Sequence, residues 1–116
     1  MRFVSRSATT LDVFNALGEL NRRDILSVLG EGEAAVGYLV DRLALTQPQV
    51  SKHLAVLRTV DLVRSRSAGR RRLYRINADA LRPVHEWTGA FERLWNRRLD
   101  QLDEVLAELQ QEEKNR

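Results

Sequence analysis

Cysteine is absent from the 116 residues. That excludes disulfides, thiolate metal sites, cysteine nucleophiles and thiol redox sensing together. Proline occurs only twice. Pro48 and Pro83 both stand where a helix can begin, a position at which the missing N–H would have had no intrahelical acceptor. No apolar run is long enough to span a bilayer. The basic N-terminus, Met1 to Arg6, also lacks the apolar stretch of a secretory signal, so the expected location is cytoplasmic, with no membrane partner. Catalytic constellations are missing as well. There is no Ser-His-Asp set, no glycine-rich phosphate loop before a helix and no cluster of metal ligands. The nearest hint, His53 with neighbouring Ser51, is better explained by the helix that carries both. The expectation is a protein that is not an enzyme, with no cofactor and no metal. What remains, 43% hydrophobic and 30% charged residues, is ordinary for a soluble globular protein. The length suits one domain over residues 1–116 that buries roughly two-thirds of its unfolded surface.

Acid is scarce in one stretch. Residues 46–75 hold eight Lys and Arg against the single acid Asp61, whereas the whole chain has a net charge of only +3. The stretch opens with Thr46-Gln47-Pro48-Gln49, a capping-box pattern that starts a helix by pairing two otherwise orphaned amide donors. Val50, Leu54 and Leu57 follow at helical spacing and form one apolar face. Gln47, Gln49, Ser51, Lys52 and Ala55 lie outside it, and His53, near its border, is expected to pack or to contact phosphate. A polar, small and basic outer face suits insertion into a major groove, where Gln reads adenine edges and Lys reaches guanine or phosphate. A merely solvated helix face has the same composition. The next residues decide between them. Arg64 and Arg66 alternate with Val63, Ser65 and Ser67, Ala68-Gly69-Arg70 supplies a turn, and Arg71 to Ile76 returns as a second strand. Seven arginines between Arg58 and Arg75 are the footprint of polyanion binding, since each phosphate neutralised releases condensed counterions. Tyr74 and Ile76 share one face of the second strand and are expected to pack inward.

This helix and hairpin resemble the winged helix-turn-helix of ArsR-type (ArsR/SmtB) bacterial transcriptional regulators. Three pieces carry the resemblance: the early helix pair Phe14-Asn15-Ala16-Leu17-Gly18 and Arg22-Arg23-Asp24-Ile25-Leu26, the recognition helix Gln47 to Leu54, and the wing Gly69-Arg70-Arg71-Arg72-Leu73-Tyr74. The match covers nearly the whole chain. It implies a fold that is mainly α with a small β-hairpin, whose N- and C-terminal helices form a dimer interface. It also implies a homodimeric repressor that binds double-stranded DNA, with recognition helices in successive major grooves and wings on flanking backbone or minor groove. On these positions the DNA-binding residues are Thr46, Gln47, Pro48, Gln49, Ser51, Lys52, His53 and Arg58 in the recognition helix. Arg64, Arg66, Arg70, Arg71 and Arg72 are those in the wing. Asp61 stands where the family generally has Gly, and Asp is one of the few residues that tolerate the left-handed conformation needed there.

Elsewhere the pattern is helical. Thr9 or Thr10 caps a first helix carrying Leu11, Phe14 and Leu17, and Gly18 ends it. A second helix begins near Asn21 and buries Ile25, Leu26, Val28 and Leu29. Residues 31–35 form a loop or short strand, and Val36, Leu39, Val40 and Leu43 make the short helix before the turn Ala44-Leu45-Thr46. Pro83 starts a long helix reaching about residue 111. Its stripe includes Val84, Trp87, Phe91, Leu94, Trp95, Leu99, Leu102, Val105, Leu106 and Leu109, more helix than a single winged domain needs. Leu11, Phe14, Trp87, Phe91, Leu94, Trp95, Leu99, Leu102 and Leu106 are therefore the expected dimer surface. Past Leu99 acids dominate, so that end points away from DNA.

The metal-sensing motifs of the family are replaced. Ala35 and Gly37 stand where its cysteines fall. The pattern that joins paired C-terminal helices through Asp-x-His has Pro83 before His85 and no second histidine. An oxygen-rich site from His85, Glu86 or Asp100 across a dimer is the residual alternative. The resemblance leaves the effector open between a small organic ligand, a partner protein and the protein's own concentration. The alternative function is a non-specific module for chromosomal DNA or RNA, which the arginine wing alone permits.

Overall fold

The computed structural model describes residues 12–115. The described chain runs α1 (Val13–Ala16), α2 (Leu20–Leu29), α3 (Val36–Leu43), α4 (Gln47–Thr59), β1 (Val63–Ala68), β2 (Arg71–Ile76) and α5 (Arg82–Lys114), with a 3-10 turn, Ala78–Leu81, before α5. Mainly helical with a two-stranded antiparallel hairpin, it has the expected class. Packing divides the chain into two units, one ending at Pro83 and one beginning at Val84.

The first unit is built on a single apolar cluster. Ala16, Ile25, Leu26, Val28, Leu29, Leu39, Val50, Leu54, Leu57, Leu62 and Val63 are buried, so every element from α1 to β1 contributes to it. Helix α1 is capped by Asp12, whose carboxylate accepts from the Asn15 N–H at 2.9 Å. The expected caps Thr9 and Thr10, and Leu11, lie outside the described residues. Helix α2 starts at Leu20, one residue before the expected Asn21. Its arginines reach back to the end of α1. Arg22 Nε donates to the Ala16 carbonyl and Arg23 Nη1 to the Leu17 carbonyl, each at 2.6 Å. These arginines of the family motif satisfy carbonyls that a helix end leaves orphaned.

Two non-glycine residues in left-handed backbone, Ala44 and Asp61, set the angles at which α4 and the hairpin leave the preceding elements. Ala44, with φ 54° and ψ 40°, ends α3 and turns the chain toward α4. Asp61, with φ 62°, ends α4 and adopts the conformation expected of it. The Leu62 N–H donates to the Leu57 carbonyl at 2.9 Å and the Asp61 N–H to the Arg58 carbonyl at 3.0 Å. This pair of bonds is a Schellman motif, with Leu57 and Leu62 supplying its apolar contact inside the core. Asn77 locks the same turn, since its Nδ2 donates to the Asp61 carbonyl at 2.8 Å.

The hairpin pairs Val63 with Ile76 through Ala68 with Arg71, leaving a two-residue connection. Positive φ is confined there to Gly69, at 66°, the pattern of a type II′ turn, whose twist matches the strands. Cross-strand partners share a face. Val63, Ser65 and Ser67 therefore lie with Ile76, Tyr74 and Arg72, and Arg64, Arg66 and Ala68 with Arg75, Leu73 and Arg71. Tyr74 packs on the core as expected. Its backbone also makes a two-bond bridge to Ala34, at 3.0 and 2.8 Å, so residues 31–35 realise the short-strand alternative as a single β-bridge.

The second unit is the body of α5. The helix extends to Lys114, three residues past the expected end, and its 33 residues make a rod of about 50 Å. Trp87 and Phe91 meet edge to face, with ring centroids 5.3 Å apart. The apolar stripe is open in the single chain, with Trp87 60%, Trp95 52%, Leu99 58%, Leu102 52% and Leu106 47% exposed.

Candidate nucleic-acid interface

Helix α4 presents its outer face as the sequence pattern requires. Val50, Leu54 and Leu57 are buried, while Gln47, Pro48, Gln49, Ser51, Lys52, Ala55 and Arg58 are exposed. The helix start is held by a complete capping box. The Gln49 N–H donates to Thr46 Oγ1 at 3.3 Å, and Gln49 Oε1 accepts from the Thr46 N–H at 2.9 Å. The cap thus occupies the amide oxygen of Gln49. Bidentate reading of adenine needs the amide oxygen and nitrogen together, and the oxygen is committed to the cap. Gln47, Ser51 and Lys52 remain as candidates for base edges, and Thr46 serves the helix start.

His53 differs from these exposed residues. It lies on the inner border of α4, half-buried, with Nδ1 buried and without a hydrogen-bond partner. Burial holds its imidazole below the usual histidine range, with Arg22 of α2 adding to the effect, Glu19 opposing it and Lys52 lowering it further. A ring facing the start of α2 fits the packing role among the two expected of His53.

The wing is less uniformly charged than the sequence count implied. Glu33, which lies outside the basic stretch, grips Arg66 through two bonds, Nε to Oε2 at 2.9 Å and Nη2 to Oε1 at 2.8 Å. Asp61 grips Arg64 in the same way at 3.1 and 2.9 Å. Each carboxylate is held below its usual range by its arginine. Of the five expected wing arginines, Arg64 and Arg66 are paired with carboxylates. Arg72 lies on the inner-face register and donates to Ser65 Oγ at 3.0 Å. Arg70 and Arg71, at the turn, have no carboxylate within 4 Å among the described residues.

Arg75 was missed by the sequence reading of the site. It lies opposite Arg64 on the outer face, and with Arg58 and Arg64 it lines a cleft of about 490 Å³ between the end of α4 and the wing. The cleft makes the basic surface continuous from recognition helix to hairpin. The available signal was the strand register: once Arg64 faces outward, its cross-strand partner does too.

A helix with an exposed polar face beside an arginine-bearing hairpin is a surface built for a polyanion. Residues 20–65 match the family described as bacterial regulatory protein, arsR family. The HTH-type transcriptional regulator Rv2034 of Mycobacterium tuberculosis is 38% identical over 86 residues, covering 74% of this chain and 78% of that protein. The chain belongs to the ArsR family. Among solved structures, an ArsR-like transcriptional regulator from Rhodococcus sp. RHA1 superposes with a TM-score of 0.61 at 30% identity, covering 80% of this chain and 88% of the other. A homodimeric winged helix-turn-helix DNA-binding domain from Mycobacterium bovis, a possible ArsR-family regulator, superposes with a TM-score of 0.59 at 32% identity, over 71% of this chain and 78% of that one.

The ArsR family consists of transcriptional regulators, so the chain is a transcriptional regulator, not an enzyme. Within this ArsR-family chain, Ala35 precedes α3 and Gly37 lies in its first turn, and neither side chain is a metal ligand. His85 and Glu86 sit one turn into α5, and Asp100 follows about 22 Å along the axis, so the three do not converge within one helix. Of the expected dimer residues, Phe14, Trp87, Phe91, Trp95, Leu99, Leu102 and Leu106 are exposed and Leu94 is partly so. Among the described residues no helix is long and apolar enough to cross a membrane.

Proposed function

We propose that this regulator is a cytoplasmic homodimeric repressor that binds an inverted-repeat operator in double-stranded DNA. The observation that carries the reading is the continuity of one exposed surface, from Gln47, Ser51 and Lys52 through Arg58 and Arg75 to Arg70 and Arg71, on a helix whose start is clamped by its capping box. Polar groups on α4 supply base readout and the wing supplies sequence-independent phosphate contacts.

The dimer is carried by α5. Trp95, Leu99, Leu102, Leu106 and Leu109 recur at alternating spacings of four and three, a seam for a partner helix. Residues 82–98 hold four arginines against two glutamates, and 99–114 hold six acids against one lysine. Antiparallel pairing with a second copy sets Arg93, Arg97 and Arg98 against Asp103, Glu104 and Glu108, whereas parallel pairing stacks like charges. A twofold dimer with recognition helices about 34–36 Å apart reads two half-sites one duplex turn apart. Occupation of a promoter over that length excludes polymerase, which favours repression. A small organic ligand or a partner protein would act by changing the spacing of the two recognition helices.

The test is fluorescence anisotropy with the full chain, using duplexes from its own upstream region and shuffled controls across a salt series. A preference of about a hundredfold or more that persists near physiological salt supports the reading. Equal binding that collapses with salt supports the non-specific module. Gln47→Ala or Lys52→Ala should cost about 1–3 kcal/mol on the preferred duplex alone. Arg70→Ala with Arg71→Ala should weaken all duplexes and flatten the salt dependence by roughly one phosphate each.

A further inference from the structure

Two acids lie inside a surface that otherwise attracts phosphate, and both engage arginines in the same geometry. Arg66 offers Nε and Nη2 to Glu33, and Arg64 offers Nε and Nη2 to Asp61. A guanidinium carries five N–H donors in a fixed plane. Side-on pairing uses two of them, and the end-on edge, the second Nη2 hydrogen and one on Nη1, stays available for two oxygens of a phosphate.

Both acids are held in place by their own turns. Asp61 is locked by its left-handed Schellman turn, and Asn77 Nδ2 also donates to its Oδ2 at 3.2 Å. Glu33 directly precedes Ala34, which is bolted to Tyr74 by two backbone bonds. Its side chain is 27% exposed against 54% for Arg66. The anchored acid sets the direction of the longer side chain. Both arginines also lie on the outer face of β1, two residues and so about 6.8 Å apart, with Arg75 opposite Arg64.

We propose that Glu33 and Asp61 are positioning residues that orient the end-on edges of Arg66 and Arg64 toward DNA phosphates while cancelling their charge at a distance, so that the wing discriminates between backbone paths. This rests on the reading that the wing meets DNA. A neutralised pair adds little to the long-range attraction that any duplex exerts. A phosphate that arrives at the right place still receives two charge-assisted bonds from a guanidinium already oriented. Discrimination of this kind reads duplex shape without touching a base edge.

The test uses the full chain and two duplexes, one recovered by in vitro selection from a random library with the wild-type protein, the other its shuffled sequence. Affinities are read by anisotropy between about 50 and about 200 mM salt. Glu33→Gln keeps the size of the side chain and frees the charge of Arg66. It should tighten binding to the shuffled duplex and steepen its salt dependence by about one phosphate, an extra factor of roughly 3.5 over that range. The selected duplex should gain less, so that the ratio between the two falls severalfold. Arg66→Ala added to Glu33→Gln should erase the gain. Asp61→Asn, which tolerates the same backbone, should repeat the pattern through Arg64. An equal gain on both duplexes, or an unchanged ratio and salt slope, overturns the proposal. So does an equal loss on both with a lower melting temperature, which marks a purely structural bond. If Arg70→Ala with Arg71→Ala flattens the slope while Glu33→Gln does nothing, the wing reading stands and the proposal falls. If none of these changes moves the slope, the wing reading fails first.

Discussion

Ala44→Gly should stabilise this protein, although it removes a methyl group and introduces the residue with the most unfolded-state freedom. Ala44 joins α3 to α4 in left-handed backbone, where an L-residue with a Cβ is penalised by roughly 1–2 kcal/mol. Glycine escapes that penalty but loses about 0.4–1 kcal/mol more conformational entropy on folding. The difference leaves about 0.5–1 kcal/mol in favour of the variant. The side chain is exposed and takes no part in the core cluster, so no packing loss opposes it. For a unit of this size the gain corresponds to a rise in Tm of about 2–8 °C. The assay is a thermal melt by circular dichroism at one fixed protein concentration, because association makes Tm concentration-dependent. Ala44→Val, with a branched Cβ that left-handed backbone tolerates worst, should melt below the wild type. A lower Tm for Ala44→Gly, or the same Tm for glycine and valine, would refute the claim that backbone strain at this turn is relieved by glycine.

Thr46→Ala should cost about 1 kcal/mol, or about 4–8 °C, through loss of the cap. Gln49→Ala should also lower Tm while leaving the ratio of preferred to shuffled DNA unchanged, and Gln47→Ala should do the reverse; a fall in that ratio for Gln49→Ala would restore it as a base reader. His53 should make stability pH-dependent. Because burial and Arg22 depress its folded pKa below 6.5, the unfolded chain binds the proton first, so the contribution is intact above about 6.5 and stability declines as pH falls below that value toward the folded pKa. His53→Gln should remove that component of a pH series of melts, and an unchanged series would show that the ring titrates normally. Leu99→Lys together with Leu102→Lys should give monomers by light scattering that bind DNA poorly; a persistent dimer would place the interface elsewhere.

What could be read from the sequence lies within about one helical turn along the chain. Thr46 and Gln49 are three residues apart, so the capping box followed from residue type and spacing. The burial of Val50, Leu54 and Leu57 followed from helical periodicity, and the left-handed turn at Asp61 from residue chemistry and family resemblance. The ArsR family itself was readable because these local rules occur in a fixed order. Ala44 gave no such signal, since alanine carries no preference for the conformation that the packing of α3 on α4 imposes on it.

Partners distant in sequence were decided by the tertiary structure. Glu33 and Arg66 are 33 positions apart, and only the bridge from Ala34 to Tyr74 brings the acid to the wing. The imidazole of His53 lies toward Arg22 because α2 packs against α4, and no periodicity states which residue of α2 it meets. Arg75 becomes part of the basic surface through its register with Arg64. Even at Gln49 one amide oxygen had two plausible uses, and the folded geometry chose the cap. The sequence by itself thus determined where α4 begins and, to within one residue, α2 and α5, as well as which faces are apolar and where positive charge collects, because propensity, capping and periodicity act over a few residues. Which of those charges remains available to a phosphate depends on long-range pairing, and that was settled only when the core packed.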